Sequence, residues 1–481
     1  MQFSQIIKPD EILSSKKTWD AEIGKPQSDL RNLKKGDVFF CEDGFYESGF
    51  SYVRKAQEKG ASAIVTSLGG AKRIGKISIP VIEVENVRKS YALAWSRRES
   101  DPAKDLHLIA VTGTNGKTSV ASFLYTLLRA AKVPVGLIGT VECIAGDEHI
   151  PSSYTTPPPD VLYPLLRHMK EKGISTVVME ASSHAIAQHR LYGLQFETAV
   201  FTNLSRDHLD YHKTWDVYRD VKASLFTHAK NAVICLDDTQ AKYMGFASTG
   251  DVYYYGTDPQ ADFRIHSPVY SEDRIRYTLE FGSETIPVEI SAIGKFHAQN
   301  SAAAIACAYL EGVSPEIIVS AQKQMLPPDG RMEKLSLPTD FTVYIDYAHS
   351  PEALQKALCS LRPFTDKLTV LFGAGGERDK GKRPEMGAIA ETFADLVILT
   401  DDNPRNEDPD VILDDIEKGM RKENHLRVRG RAQAIVRALE QAEKGEILLL
   451  AGKGHENYTI DQNGKHRFSE KEIIEKALGL I

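Results

Sequence analysis

The chain has 481 residues, 42% hydrophobic and 26% charged, with a net charge of −7 at neutral pH. That length exceeds what one core serves, so several domains are expected, and the composition is that of a folded globular protein. The acidic balance excludes a global field suited to nucleic acid or acidic membranes, so any anionic ligand must be held by local loops and helix ends. The five cysteines, Cys41, Cys143, Cys235, Cys307 and Cys359, show no metal or redox spacing, which fits a reducing cytoplasm. The opening MQFSQIIKPDEIL is no signal peptide, and no apolar run reaches membrane-spanning length. A cytoplasmic protein without membrane insertion is expected.

In chain order, strands at residues 37–40, 63–66 and 81–84 with a helix over 52–59 read as a small α/β unit. The polar, Pro-bearing ESDPAKD at 99–105 reads as a linker. An apolar run over 106–111 then breaks into AVTGTNGKTS (110–119) and a helix to residue 131. Strand, glycine loop and helix is the arrangement that cradles phosphates. Gly113 and Gly116 let successive backbone N–H groups face an anion, Lys117 can reach the β/γ-phosphates, and Thr118 can ligate Mg²⁺. The loop reads A-x-x-G-T-x-G-K-T, because Val111 stands where the common phosphate loop has glycine.

A second strand in PVGLIGT, a helix over 160–172 and strands at 176–179 and 198–201 follow. This alternation predicts a doubly wound, mainly parallel sheet. Residues 252–290 alternate and carry turn residues, which suggests an antiparallel stretch, and 294–310 is an Ala-rich helix. A last α/β block starts near residue 341, with strands in FTVYI, LTVLF, LVILT and ILLLA. The fold class expected is α/β with three domains, at residues 1–104, 105–335 and 336–481. They are a small N-terminal α/β domain, a central doubly wound P-loop ATPase-like domain and a C-terminal Rossmann-like α/β domain.

Ligands of open α/β sheets collect at the carboxyl ends of strands. Two consecutive strands lead into Glu180-Ala-Ser-Ser-His and Thr-Asn-Leu-Ser-Arg-Asp-His208, which offers Glu180 and His208 as metal ligands near the phosphate loop. Ser183-His184 is a poor hydrolase pair, since no G-x-S-x-G elbow surrounds it. Lys222 lies in TWDVYRDVKASLF, capped by Thr214 with Asp216 in the first turn, and by pattern alone reads as a solvated helical lysine. In the last block the strand ends present Arg378, Asp402, Arg405 and Glu456 around one crevice. Paired acids and arginines suit a zwitterion, the carboxylates holding an ammonium and a guanidinium forking onto a carboxylate.

AVTGTNGKTS, YTTPPP, MEASSHAIAQHR, TNLSRDHLDYH, GKFHAQNSAAAIA, GRME, DYAHSPEAL, GERDKGKRPEM, DNPR and GKGHE occur in this order, and the set resembles the Mur ligases, most of all those of the MurE type. The resemblance implies an ATP-dependent peptide ligase of peptidoglycan precursor synthesis, working through an acyl phosphate on UDP-N-acetylmuramoyl-L-alanyl-D-glutamate. It implies that the three domains hold the UDP substrate, ATP and the amino acid respectively. Gly113, Thr114, Asn115, Gly116, Lys117, Thr118 and Ser119 would cradle the ATP phosphates. Thr118, Glu180, His208 and Lys222, the last as a carbamate, would serve Mg²⁺, with Lys117, His208 and Lys222 catalytic. Asn300 would touch the adenine, and Arg331 and Asp346 the ribose and γ-phosphate region. Tyr154, Thr155, Thr156, Ser182, Gln188 and Arg190 would contact the muramoyl peptide. Arg378, Asp402, Asn403, Pro404, Arg405, Gly452 and Glu456 would hold the amino acid. DNPR resembles the form associated with meso-diaminopimelate, whose distal carboxylate would pair with Arg405. The partners expected are these small molecules, on a monomer.

The chain departs from the family pattern at Asp29-Leu30-Arg31, where the family reads D-S-R. Gly44-Phe-Tyr-Glu-Ser-Gly-Phe replaces the usual D-G-H loop, and His297 stands where asparagine is frequent. The first two departures motivate a rival, a related ligase extending another acidic peptide or polyglutamate, which the matching Tyr154, Thr155, Thr156, Gln188 and Arg190 speak against; a related ligase using L-lysine or another amino acid is a further alternative. A nucleotide-binding switch is a second rival, but it needs no acidic and basic cluster at Arg378, Arg405 and Glu456.

Overall fold

A computed structural model describes residues 1–15, 20–42 and 48–481. Most of the loop at 44–50 that replaces D-G-H therefore lies outside the described residues. The chain divides into two compact units, one of residues 1–110, 133–198 and 227–230, the other of 111–132, 199–226 and 231–481. The first boundary falls inside the strand His107–Thr112.

The first unit begins with a five-stranded sheet in the order Ile12–Ser15, Val81–Val84, Ala63–Ser67, Val38–Phe40, Pro26–Gln27. Its strands are parallel except Ile12–Ser15 at the edge. The strands Val38–Phe40, Ala63–Ser67 and Val81–Val84 are buried almost throughout, as continuous apolar runs of parallel strands should be. Helix Val87–Arg98 starts where Asn86 Oδ1 accepts the Arg88 and Lys89 N–H groups. Farther along, Thr176–Glu180 pairs in parallel with Val135–Ile138. A hairpin of Glu142–Ala145 and Glu148–Pro151 extends that sheet antiparallel. The hairpin turns at Gly146, whose φ of 68° needs glycine.

In the second unit, Asn231–Cys235, Asp251–Gly256 and Phe263–Tyr270 run parallel where they pair. Ile275–Phe281 and Glu284–Ile290 add antiparallel strands, so the stretch expected to be antiparallel over 252–290 is so only from residue 263 on, and Asp251–Gly256 stays parallel to both neighbours. Helix Lys117–Ala130 packs on the Ala-rich helix Lys295–Leu310. A separate six-stranded sheet follows in the order Glu333–Lys334, Thr342–Asp346, Ile447–Ala451, Leu368–Phe372, Leu396–Leu399, His425–Arg427. All but its first strand are parallel. One face packs Leu354, Leu358, Met386 and Ile416, the other Ala434, Ile435, Leu439 and Ile474. The result is a doubly wound layer with helices on both sides. Among the described residues no helix is long and apolar enough to cross a membrane.

Candidate active site

The glycine loop belongs to the second unit from Val111 onward. Gly113 and Gly116 adopt φ of 147° and 88°, conformations open to glycine. A Cβ on Gly113 would strike Thr202 Oγ1, and one on Gly116 would crowd Asn300 Oδ1. The loop is pinned from the end of the strand Phe196–Phe201. Thr202 Oγ1 and Asn203 Nδ2 donate to Asn115 O at 2.5 and 3.0 Å, and the Asn115 and Thr114 N–H groups donate to Asn203 Oδ1 and O. Thr114 Oγ1 lies 3.0 Å from the Tyr218 hydroxyl. Sequence reasoning gave Thr202, Asn203 and Tyr218 no role, although the first two stood in a quoted motif. Lys117 begins the helix and folds back, its Nζ donating to Gly113 O and Thr114 O at 3.0 and 2.8 Å.

Lys222 corrects the reading by pattern. Thr214 does cap its helix, Trp215–Ala223, but the lysine is 1% exposed. Its Nζ donates to Gly113 O at 2.7 Å and stands 4.9 Å from the Tyr218 ring centre. Burial, then the Lys117 charge, push its amine well below the ordinary lysine range, against a smaller pull from Asp207. The helical spacing could not register this, because the face that Lys222 occupies packs under the phosphate loop. His208 sits at φ 55° with its Nε2 3.4 Å from Asp207 Oδ2. Asp207 is also faced by His349 Nε2 at 3.9 Å. Burial raises the Asp207 carboxyl, and the charges of His208, His349 and Lys382 outweigh it, holding the group well below the usual carboxylate range.

Beside the loop opens a cavity of about 720 Å³, mouth included, lined by Asn115, Gly116, Thr118, Ser119, His297, Asn300, Arg331 and Asp346 among others. Arg331 Nη2 donates to Thr118 Oγ1 at 3.1 Å, and its guanidinium lies 4.6 Å from the Tyr347 ring centre. Asp346 accepts the Met332 and Ala348 N–H groups, and burial raises its carboxyl. His297 donates from Nδ1 to Ile293 O at 2.8 Å, and burial pushes its ring down to about 4. The neutral ring therefore leaves Nε2 as an acceptor. Three buried polar atoms on this wall have no hydrogen-bond partner among the described residues, namely His297 Nε2, Arg331 Nε and Asn115 Nδ2. Buried groups of this kind are ordinarily satisfied, so the wall suits a ligand with both anionic and heterocyclic parts.

The first unit assembles its own cluster. Glu180 is fully buried and accepts the Thr140 N–H at Oε1 and the Thr140 hydroxyl at Oε2, at 2.7 and 3.0 Å. Thr155 Oγ1 lies 3.0 Å from that hydroxyl. Thr156 Oγ1 donates to Glu180 O at 2.8 Å and accepts the Ser182 N–H, while Ser182 caps the helix Ser183–Ala187. Arg190 donates to Thr156 O at 2.7 Å and to Gln188 Oε1, and it lies 5.8 Å from the Tyr154 ring centre. Tyr154, Thr155, Thr156, Ser182, Gln188 and Arg190 are thus linked into one patch around Glu180.

At the carboxyl ends of the six-stranded sheet, Asn403 Nδ2 donates to Glu456 Oε2 at 2.9 Å. Gly452, at φ 113°, leaves room for Asp402 Oδ2, which a Cβ would approach to 2.8 Å. Arg405 takes a φ of 55°, and its Nη1 donates to Gly376 O at 2.8 Å and to Asn403 O at 3.3 Å. Burial and the neighbouring Arg378 lower its pKa. Among the described residues its side chain donates to backbone carbonyls and makes no ion pair. Arg378 is exposed in the loop after the strand Leu368–Phe372, and Pro404 is buried beside Arg405 in the loop after the strand Leu396–Leu399.

Residues 111–308 match the Mur ligase middle domain and residues 330–454 the Mur ligase glutamate ligase domain. The chain is also 35% identical to the UDP-N-acetylmuramoyl-L-alanyl-D-glutamate–2,6-diaminopimelate ligase of Clostridium tetani, across 99% of both chains. It belongs to the Mur ligase family. A solved structure of a ligase of that same name superimposes with a TM-score of 0.70 at 31% identity, covering 100% of this chain and 99% of the other. MurF ligase from Thermotoga maritima, solved with ADP, shares the fold at 19% identity and a TM-score of 0.63, over 95% and 98% of the two chains. The Mur ligase glycine loop carries threonine and asparagine at its first turn here, and Thr202 and Asn203 are what hold that turn in place.

Proposed function

We propose that this Mur ligase adds meso-diaminopimelate to UDP-N-acetylmuramoyl-L-alanyl-D-glutamate with hydrolysis of ATP to ADP and phosphate. The observation that carries the choice of amino acid is Arg405. Its guanidinium is partly buried, is held by carbonyls and makes no ion pair among the described residues, so it offers a fork to an external carboxylate. Diaminopimelate has a distal carboxylate and lysine does not. The full-length relatives named for the diaminopimelate ligase support the same reading.

In the chemistry proposed, a D-glutamate carboxylate oxygen attacks the γ-phosphorus of ATP, and ADP leaves. The amino group of the incoming amino acid then attacks the acyl phosphate carbon, an N–H proton is lost, and phosphate departs as the amide forms. Lys117 and the N–H groups of the loop from Gly113 to Ser119 hold the phosphates. Asn300 and His297 face the base, and Arg331 and Asp346 line the ribose and phosphate side. Tyr154, Thr155, Thr156, Ser182, Gln188 and Arg190 bind the muramoyl peptide. Asp402 and Glu456 hold the ammonium of the amino acid.

Among the described residues no three His, Cys, Asp or Glu side chains converge to hold a metal by themselves. Mg²⁺ needs no such cage, because it takes a few protein oxygens and completes its shell with phosphates and water. Thr118 and His208 of the second unit are the proposed protein side, with Lys222 as a carbamate adding a carboxylate, while Glu180 belongs to the first unit, where Thr140 holds its carboxylate. When bound, Mg²⁺ supplies charge neutralisation on the phosphate oxygens.

Steady-state kinetics on Arg405→Ala test the amino-acid choice. Wild-type kcat/KM should favour diaminopimelate over lysine, and the substitution should cut the diaminopimelate value roughly 10²-fold while changing the lysine value little. Unchanged discrimination would remove Arg405 from the reading.

A further inference from the structure

Lys453 is among the most buried charged side chains of the amino-acid site, 0% exposed as a residue, and no role above uses it. An ammonium has three protons to donate, and here each finds a protein acceptor. Lys453 Nζ donates to Tyr458 O at 2.8 Å, Asn403 Oδ1 at 3.1 Å and Glu456 Oε2 at 3.4 Å. Asp402 Oδ1 stands 3.8 Å away, and the rings of Phe468 and Tyr458 close the remaining sides at 5.6 and 5.9 Å. None of its donors is left for a ligand.

These bonds fix the orientation of Asn403. Its Oδ1 faces two donors, Lys453 Nζ and the Ile460 N–H at 2.9 Å, so its Nδ2 must point the other way, onto Glu456 Oε2. An amide whose oxygen is held by two donors cannot flip without leaving both unsatisfied. Glu456 is held in turn through Oε2, which leaves Oε1 facing the Tyr458 hydroxyl at 3.3 Å. The same contacts dock the hairpin Tyr458–Asp461 and Gly464–Arg467 on the DNPR loop, where Arg405 N donates to Ile460 O and Thr459 Oγ1 to Asp402 O. One buried cation thus lies behind Asp402, Asn403 and Glu456 and under the loop that carries Arg405.

We infer that Lys453 is a positioning residue for the amino-acid substrate. It neutralises Asp402 and Glu456 from behind and locks Asn403, so that Glu456 Oε1 and Arg405 meet the incoming zwitterion in one geometry. This rests on the amino-acid site proposed above. A lysine with a merely structural role would support the whole subunit evenly, whereas this one acts on one substrate.

The test is K453M, alone and in an N403A background. K453M should raise KM for diaminopimelate by roughly ten- to a hundredfold, with KM for ATP and for the UDP-dipeptide within about twofold of wild type. In N403A the further effect of K453M should be clearly smaller than in the wild-type background, because part of the lysine's action passes through Asn403. Hydrogen exchange on the full chain without substrates should show faster exchange at the Arg405 and Ile460 amides and no change in the helix Lys117–Ala130. K453Q, which keeps two N–H donors without charge, carries the same measurements if K453M proves too unstable to purify. Equal rises in all three KM values, additive effects with N403A, or unaltered exchange at residues 405 and 460 would each overturn the inference. The exchange result does not depend on the substrate. A wild-type chain inactive with diaminopimelate, with K453M still showing that exchange pattern, would count against the proposed function and leave Lys453 as the pin of the loop.

Discussion

Lys117→Ala is expected to lower kcat for ADP formation by on the order of 10³-fold, about 4 kcal/mol of barrier, while leaving the chain folded. The size follows from what the ammonium does. It is the one side-chain cation built into the glycine loop itself, poised over Gly113 O and Thr114 O at 3.0 and 2.8 Å. Charge develops on phosphate oxygens during transfer, and a preorganised cation meets it without reorganisation. Folding should survive because those two bonds go to carbonyls of a partly open loop, whose shape is held separately by Thr202 and Asn203. Coupled-enzyme assays read the rate, and circular dichroism with a thermal midpoint reads the fold. A variant with wild-type turnover would refute the assignment of the loop.

A second large effect is expected at Lys222. Carbamylation joins the neutral amine nitrogen to the carbon of CO₂ and releases one proton, so it requires an amine that is unprotonated at neutral pH. Burial and then the Lys117 charge push the amine in that direction, against a smaller pull from Asp207. With ¹³C-bicarbonate, the wild-type chain should give a carbamate carbon resonance that K222A lacks. Turnover of K222A should fall on the order of 10²-fold or more, through loss of the added carboxylate. An equally active K222A, or a wild-type chain with no carbamate signal that is nonetheless fully active, would contradict the role.

Much of the fold was legible because its strands are apolar runs between turn residues. The runs at 63–66, 81–84, 368–372 and 447–451 coincide with observed strands to within a residue. The hairpins Glu142–Pro151 and Tyr458–Arg467 were not legible. Apart from the buried Cys143, Ile144 and Ala145, their strand residues are partly or fully exposed, so they carry no strong hydrophobic period. The site divides the same way. Strand ends located Glu180, Asp402, Arg405 and Glu456, because strand direction fixes where side chains collect. Pattern misread Lys222, since nothing local distinguishes a lysine under a phosphate loop from one in water. It also passed over Thr202, Asn203 and Lys453, which hold other side chains and backbone in place. Positioning residues of this kind become visible once their hydrogen bonds can be traced.

The most direct test of the account is a product assay. The purified chain is incubated with UDP-N-acetylmuramoyl-L-alanyl-D-glutamate, ATP and Mg²⁺, and with meso-diaminopimelate, L-lysine or no amino acid, and the nucleotide-linked products are weighed by mass spectrometry. The account predicts a product heavier by diaminopimelate less one water, formed with one ADP per amide and absent without the amino acid. A product formed preferentially with lysine, or ADP release that does not depend on any amino acid, would contradict it.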